Sequence, residues 1–171
     1  WRSRGFDRPI AIVQNGVDAK AYRNLDEVAP APGVDLPPPV AGLVGQLSTR
    51  IDIAMLESVL AAGRSLLLVG PVDPAWEPER FERLLAHPRV RWAGAQPFEK
   101  LPAFFKWIDV GLTPYCDSDF NRSSFPLKTL EYLAAGRPVV STDLPAVTWL
   151  ATDLITVADV SGFGEAARRV G

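Results

Sequence analysis

The chain has 171 residues, 47% hydrophobic and 22% charged, which is the balance of a folded globular domain and excludes a disordered tail. A formal net charge of −2 gives no electrostatic footprint for nucleic acid or a membrane surface. A single cysteine, Cys116, and a single histidine, His87, exclude a disulfide framework and a multi-cysteine or His-rich metal site, and they fit a cytosolic, reducing compartment.

In chain order, Pro9–Val13 predicts a short strand that runs into the turn Asn15-Gly16-Val17-Asp18. Residues 29–39, APAPGVDLPPP, predict a stiff extended connector. A boundary is therefore expected there, with 1–39 as an interdomain segment and linker and 40–171 as the domain proper. Val40–Val44 is a short apolar run, followed by a helical pattern over 51–62. Ser65–Val69 is apolar and precedes a second helix over 77–86; Arg89–Ala93 is strand-like and precedes a short helix over 97–106. Ile108–Thr113 predicts another strand, and 114–124 a long polar loop. A helix over 126–135, the apolar Pro138–Ser141, a strand over Asp153–Val157 and a helix over Gly162–Val170 complete the chain. No run approaches the ~20 apolar residues of a membrane span. Short apolar strands alternating with helices predict a parallel sheet covered on both faces. About six such strands give an α/β, doubly wound, Rossmann-like domain.

Ligands of open α/β sheets bind beyond the carboxyl ends of the strands. Gly45-Gln46-Leu47-Ser48-Thr49-Arg50 follows the first domain strand, but it is not G-x-G-x-x-G. The next strand ends Val69-Gly70-Pro71, without the acid that a nicotinamide ribose needs, which argues against a dinucleotide dehydrogenase. Gly45 then reads either as part of a ligand loop or as a tight strand-to-helix turn.

The richest segment is Asp117 to Glu131. Ser124 is placed to cap a helix whose first turn tolerates Pro126, and the free amides of that turn form an anion site. Arg122 and Lys128 stand at this positive end, where the helix dipole opposes each cation by ~0.3–1 kcal/mol. An anionic ligand such as a diphosphate removes the conflict; an i,i+3 pair of Lys128 with Glu131 is the bland alternative. An apolar stripe through Leu127, Leu130 and Ala134 carries Glu131 toward the sheet. A carboxylate there is costly unless hydrogen-bonded. Two ribose hydroxyls would satisfy it, and so would backbone amides or Lys128.

Pro126-Leu-Lys-Thr-Leu-Glu-Tyr-Leu-Ala-Ala-Gly-Arg-Pro-Val-Val-Ser-Thr-Asp143 resembles the signature block of the group 1, family four-like glycosyltransferases of the GT-B fold. Asn15–Asp18 resembles their interdomain segment. Val44–Leu47, Val69–Pro71 and Asp109–Leu112 follow in the family order, so that the likeness runs from about residue 10 to 160. The resemblance implies the C-terminal half of a GT-B enzyme, the half that binds a UDP- or GDP-sugar. It implies a retaining, metal-independent hexosyltransferase-type reaction without a cofactor. It places Glu131 on the ribose as the second acid of an E-x7-E pair. The first acid falls on Ser123, which departs from the pattern and bears on sugar recognition. Arg50 and Lys128 become diphosphate contacts, helped by backbone amides from Ser124 through Phe125 to Leu127, with Gly45 and Gln46 in the first loop and Arg122 nearby. The family holds the base near loop 94–98.

The same resemblance, together with a chain that opens on Trp1, leads us to expect a piece of a longer protein. The partner is then an N-terminal acceptor domain carrying most of the catalytic groups, and this piece alone binds donor without transferring it. Cell-surface polysaccharide or glycoconjugate assembly is the expected setting, in the cytoplasm or at the inner face of the membrane. Two alternatives remain at this point: a non-catalytic nucleotide-sugar-binding module and a GT-B epimerase-like enzyme. A flavodoxin-like phosphoacceptor domain lacks its acids after the first strand. Asp117-Ser-Asp119 imitates a metal-binding DxD but sits among turn residues, where carboxylates are solvated. Cys116, His87, Trp92, Trp107 and Trp149 read as structural, and Asp143 as a turn former or a donor contact.

Overall fold

The computed structural model describes residue 11 and residues 13–170. The strand expected over Pro9–Val13 lies largely outside the described residues. Six parallel strands form one sheet: β1 (Val40–Val44), β2 (Ser65–Val69), β3 (Val90–Trp92), β4 (Val110–Thr113), β5 (Val139–Ser141) and β6 (Ile155–Val157). Their order is β3-β2-β1-β4-β5-β6, the doubly wound arrangement that the alternating pattern predicts. All five positions of β1 and of β2 are buried, which is why these strands read as continuous apolar runs rather than as alternating ones.

Among the described residues seven helices accompany the sheet, six between strands and one after the last: α1 (Ile53–Ala61), α2 (Pro78–Leu85), α3 (Leu101–Phe105), α4 (Asp119–Ser123), α5 (Leu127–Ala134), α6 (Pro145–Leu150) and α7 (Phe163–Arg169). One core packs Ile53, Leu56, Phe81 and Phe163 of α1, α2 and α7 against Ala41, Leu66 and Val110. The other packs Phe104, Phe105 and Tyr132 of α3 and α5 against Val40, Val44 and Leu67.

Three elements differ from expectation. The region 97–106 begins as a 3-10 turn, Phe98–Lys100, before α3. The loop 114–124 contains α4, because Ser118 caps it: its hydroxyl accepts the Asn121 N–H at 3.2 Å, and Asp119 sits in the first turn. Helix α6 starts on Pro145, whose fixed φ suits a first helical turn. Two further 3-10 turns, Ala19–Tyr22 and Leu25–Glu27, precede the Pro-rich stretch.

Residues 29–39 are neither extended throughout, as expected, nor a free tether: the strip turns at Pro32-Gly33, and Gly33 and Asp35 take positive φ. Ala31, Val34 and Leu36 are buried in the second core. Ala31 donates its N–H to the Ala103 carbonyl, and its own carbonyl accepts the Trp107 indole N–H at 2.9 Å. The Pro37 carbonyl accepts from the Ser65 hydroxyl at 2.6 Å. Proline loses a donor but keeps an acceptor, so a Pro-rich strip can line a sheet by accepting hydrogen bonds.

The carboxyl ends of β1, β2 and β3 are zipped together by backbone. Gly45 N–H donates to the Val69 carbonyl, and Gly70 N–H donates to the Gly94 carbonyl, both at 2.8 Å. Gly45 and Gly70 take φ of 145° and 142°, which L side chains rarely adopt. A Cβ on Gly70 would stand 1.8 Å from the Gly45 carbonyl oxygen. Gly70→Ala is therefore expected to lower stability by about 3 kcal/mol, combining backbone strain and overpacking. Urea denaturation measures this, and an unchanged midpoint would contradict the close approach.

Candidate functional site

At the carboxyl end of β1 and the start of α5 lies a cleft of about 230 Å³. Gly45, Gln46, Ser48 and Arg50 form one wall, and Phe125, Pro126, Leu127 and Lys128 the other, with Tyr115 between them. The two walls are held in register by Tyr132, one turn along α5. Its phenol donates to the Gly42 carbonyl at 2.9 Å and accepts the Val44 N–H at 2.8 Å. Burial drives its pKa far above the usual phenol value, so it stays protonated as a donor.

Arg50 is braced from several sides. Its Nε donates to Asn121 Oδ1 at 2.8 Å and its Nη2 to Ser124 Oγ at 3.1 Å. Its guanidinium carbon lies over the rings of Phe120 and Tyr115, 4.7 and 5.2 Å from their centroids.

Lys128 and Glu131 form the i,i+3 pair, with Nζ 2.7 and 2.9 Å from the two carboxylate oxygens. Glu131 is only 8% exposed and also accepts from the Tyr22 hydroxyl at 2.9 Å. Burial and this carboxylate together push the Tyr22 phenol well above its ordinary pKa. Glu131 thus faces inward as expected, but on a different stripe. The buried face of α5 runs through Thr129, Glu131 and Tyr132, while Leu127 is 44% exposed and faces the cleft. The helix is rotated because Tyr132 reaches under it to β1.

Ser124 does not cap α5. That position belongs to Pro126, which has no side-chain acceptor; Ser124 closes α4 instead and donates to the Asn121 carbonyl. By helix geometry the amides of Leu127 and Lys128 still lack intrahelical acceptors.

Of the residues singled out from sequence, Gly45, Gln46, Arg50, Phe125, Leu127 and Lys128 meet at this cleft. Ser124 stands behind Arg50, and Glu131 beneath Lys128. Arg122 does not join them: it pairs with Asp117 at 3.2 Å and lines a neighbouring hollow with Thr142, Asp143 and Asp159. Ser123 is exposed and lines neither wall. Sequence reasoning missed Asn121, Tyr115, Phe120 and Tyr22. The only local signal for Asn121 was its place three residues after a capping serine.

The residues read as structural take such places. His87 Nδ1 accepts the Arg89 N–H in a loop closure. Trp92 donates to the Gly70 carbonyl at 2.9 Å. The Cys116 thiol is pushed up by burial and, secondarily, by Asp52. Trp149 is exposed and meets Phe125 edge-on at 5.8 Å, behind the cleft wall.

Lys128→Ala leaves the Glu131 carboxylate buried with the Tyr22 hydroxyl as its remaining side-chain partner. The expected loss of stability is about 3 kcal/mol, and Lys128→Met combined with Glu131→Gln should restore much of it. Urea unfolding of the single and double variants checks both parts.

The family model for Glycosyl transferases group 1 matches residues 38–170. A curated relative, described as the teichuronic acid biosynthesis glycosyltransferase TuaH of Bacillus subtilis (strain 168), is 36% identical over 111 residues. That alignment covers 64% of this chain and 28% of the relative. Among solved structures, sucrose-phosphate synthase from Thermosynechococcus elongatus is similar with a TM-score of 0.69 at 23% identity, over 90% of this chain and 41% of that one. Anabaena HepE, solved in complex with UDP and glucose, gives 0.68 at 16% identity, over 93% and 46%. AviGT4, a glycosyltransferase of avilamycin A biosynthesis, gives 0.61 at 23% identity, over 96% and 48%. The chain thus spans less than half of each of these proteins. The likeness to the solved structures is one of fold.

Proposed function

The chain belongs to the group 1 glycosyl transferases, and from that membership we propose that its cleft binds the nucleotide diphosphate of a sugar donor. One observation carries the reading: two cations, Arg50 and Lys128, and the amide-rich start of α5 converge on one cleft beyond the carboxyl end of β1. Cations at a helix N-terminus oppose the dipole, and an anion between them reverses the sign of that interaction.

In this reading the diphosphate lies against Arg50, Lys128 and the amides of Leu127 and Lys128, with Gly45 keeping the first loop close. Glu131 accepts the ribose hydroxyls. Its two oxygens offer about four lone-pair sites; Tyr22 and the two hydrogen bonds from Lys128 take three, so one site is open to a hydroxyl and a second opens when Lys128 turns to the diphosphate. Departure of the nucleoside diphosphate builds negative charge where these donors already point, which is how preorganised groups lower a barrier. The reaction is transfer of a glycosyl unit, hexosyl in type, with retention and without a metal. The acceptor and the remaining catalytic groups belong to a companion N-terminal domain, so this chain alone binds donor and does not turn it over. Ser123, in place of a first acid, leaves the sugar to other contacts.

The relative named for teichuronic acid biosynthesis supports a role in polysaccharide assembly, and the UDP and glucose in the HepE structure support a nucleotide sugar as donor. No helix among the described residues is long and apolar enough to cross a membrane. A cytoplasmic location, with peripheral membrane contact of the whole protein, is part of this proposal.

Calorimetric titration of the chain with UDP, GDP and their sugars tests the site. Loss of a charge-assisted contact costs ~1.5–3 kcal/mol, so Arg50→Ala should weaken binding by ~10- to 100-fold. Glu131→Ala should weaken the nucleotide yet leave inorganic pyrophosphate little changed. A chain that binds no nucleotide diphosphate would overturn the reading.

A further inference from the structure

Every polar atom of the Asn121 side chain is spent on Arg50 and its surroundings. Asn121 is fully buried. Its Oδ1 accepts from Arg50 Nε, and its Nδ2 donates to the Arg50 carbonyl at 3.1 Å and to the Cys116 carbonyl at 2.9 Å. One side chain thereby fixes both the backbone and the guanidinium of the same arginine. Ser124 completes the brace by accepting from Nη2, and its hydroxyl in turn donates to the Asn121 carbonyl at 3.1 Å.

The pattern of used donors has a direction. Nε and Nη2 form the side edge of the guanidinium, and Asn121 and Ser124 occupy that edge. Tyr115 and Phe120 lie against the planar group. A guanidinium has five N–H donors in a rigid fork. Those left are both hydrogens of Nη1 and one of Nη2, and the outward one of each Nη makes the end-on fork. That fork matches two oxygens of one phosphate. An unbraced arginine would lose rotamer freedom on meeting such an anion, whereas this one has already lost it on folding.

We infer that Asn121 is the positioning residue of the anion site: it pre-sets Arg50 for bidentate capture of a phosphate oxygen pair, with Ser124 as a second brace. The inference rests on the donor-binding reading above and adds the residue that makes its arginine competent. Asn121 itself touches no ligand and acts through Arg50.

The test is a double-mutant cycle on the chain, titrated with whichever of UDP and GDP binds more tightly. Asn121→Ala is expected to weaken binding about tenfold, and Ser124→Ala about threefold, under conditions where urea unfolding shows each variant folded. In an Arg50→Ala background both effects should vanish, because the residue they act through is gone. A structural role alone would weaken binding equally in both backgrounds, and that additivity overturns the inference. So does wild-type affinity in Asn121→Ala. If Asn121→Ala does not fold, the Ser124→Ala cycle decides alone, by the same criterion. Absence of nucleotide binding in the unmodified chain is a different failure, that of the donor reading itself.

Discussion

The hydrogen bonds of Tyr132 to β1 are the constraint on which the site depends. The phenol reaches through the gap left by Gly111, where a Cβ would lie 2.3 Å from its ring, and joins the backbone of Gly42 and Val44. Two residues beyond Gly42 the strand ends, and the Gly45 loop begins. One buried hydroxyl therefore fixes the distance between the loop after β1 and the first turn of α5. A buried, fully satisfied polar contact specifies position more sharply than apolar packing, because losing either partner leaves an orphaned group in the core.

From that anchor the electrostatics follow. The rotation that buries Tyr132 also turns Glu131 inward and Leu127 outward. The inward carboxylate needs compensation, and Lys128 and Tyr22 provide it. Lys128 is thereby kept at the start of the helix against the dipole, with its ammonium shared between Glu131 and the cleft. Tyr22 belongs to a turn far back in the chain, so the segment before the Pro-rich strip is tied to the same carboxylate. The opposite wall is organised by a separate device, α4, a helix of one and a half turns whose Asn121 and Ser124 hold Arg50.

Much of the fold was legible because strand burial leaves a strong local trace. Val40–Val44 and Ser65–Val69 are covered on both faces and so are apolar at each position but Ser65, and the alternation with helices dictated a parallel, doubly wound sheet. Gly45, Lys128 and Glu131 were legible too, since each breaks a local rule: a glycine at a strand end, a cation at a helix start, an acid turned toward the core; Arg50 breaks none and was pointed to only by the family resemblance. Arg122 satisfied the same rule and went elsewhere, because Asp117 five residues earlier neutralises it on the surface. Ser124 fitted the capping pattern, yet Ser118 six residues before nucleated a helix of its own and left Ser124 at that helix's end.

The sequence by itself determined the sheet, its strand order class and the presence of an anion-friendly helix start, because these arise from periodicity, burial and charge placed within a few residues of one another. Only the tertiary structure decided which cations share the cleft, which face of α5 is buried, and that Asn121 braces Arg50 across 71 positions of chain. The reason is one of range. A hydrogen bond between residues so far apart has no local signature, and its geometry exists only after the sheet has brought the ends of β1 and β4 side by side.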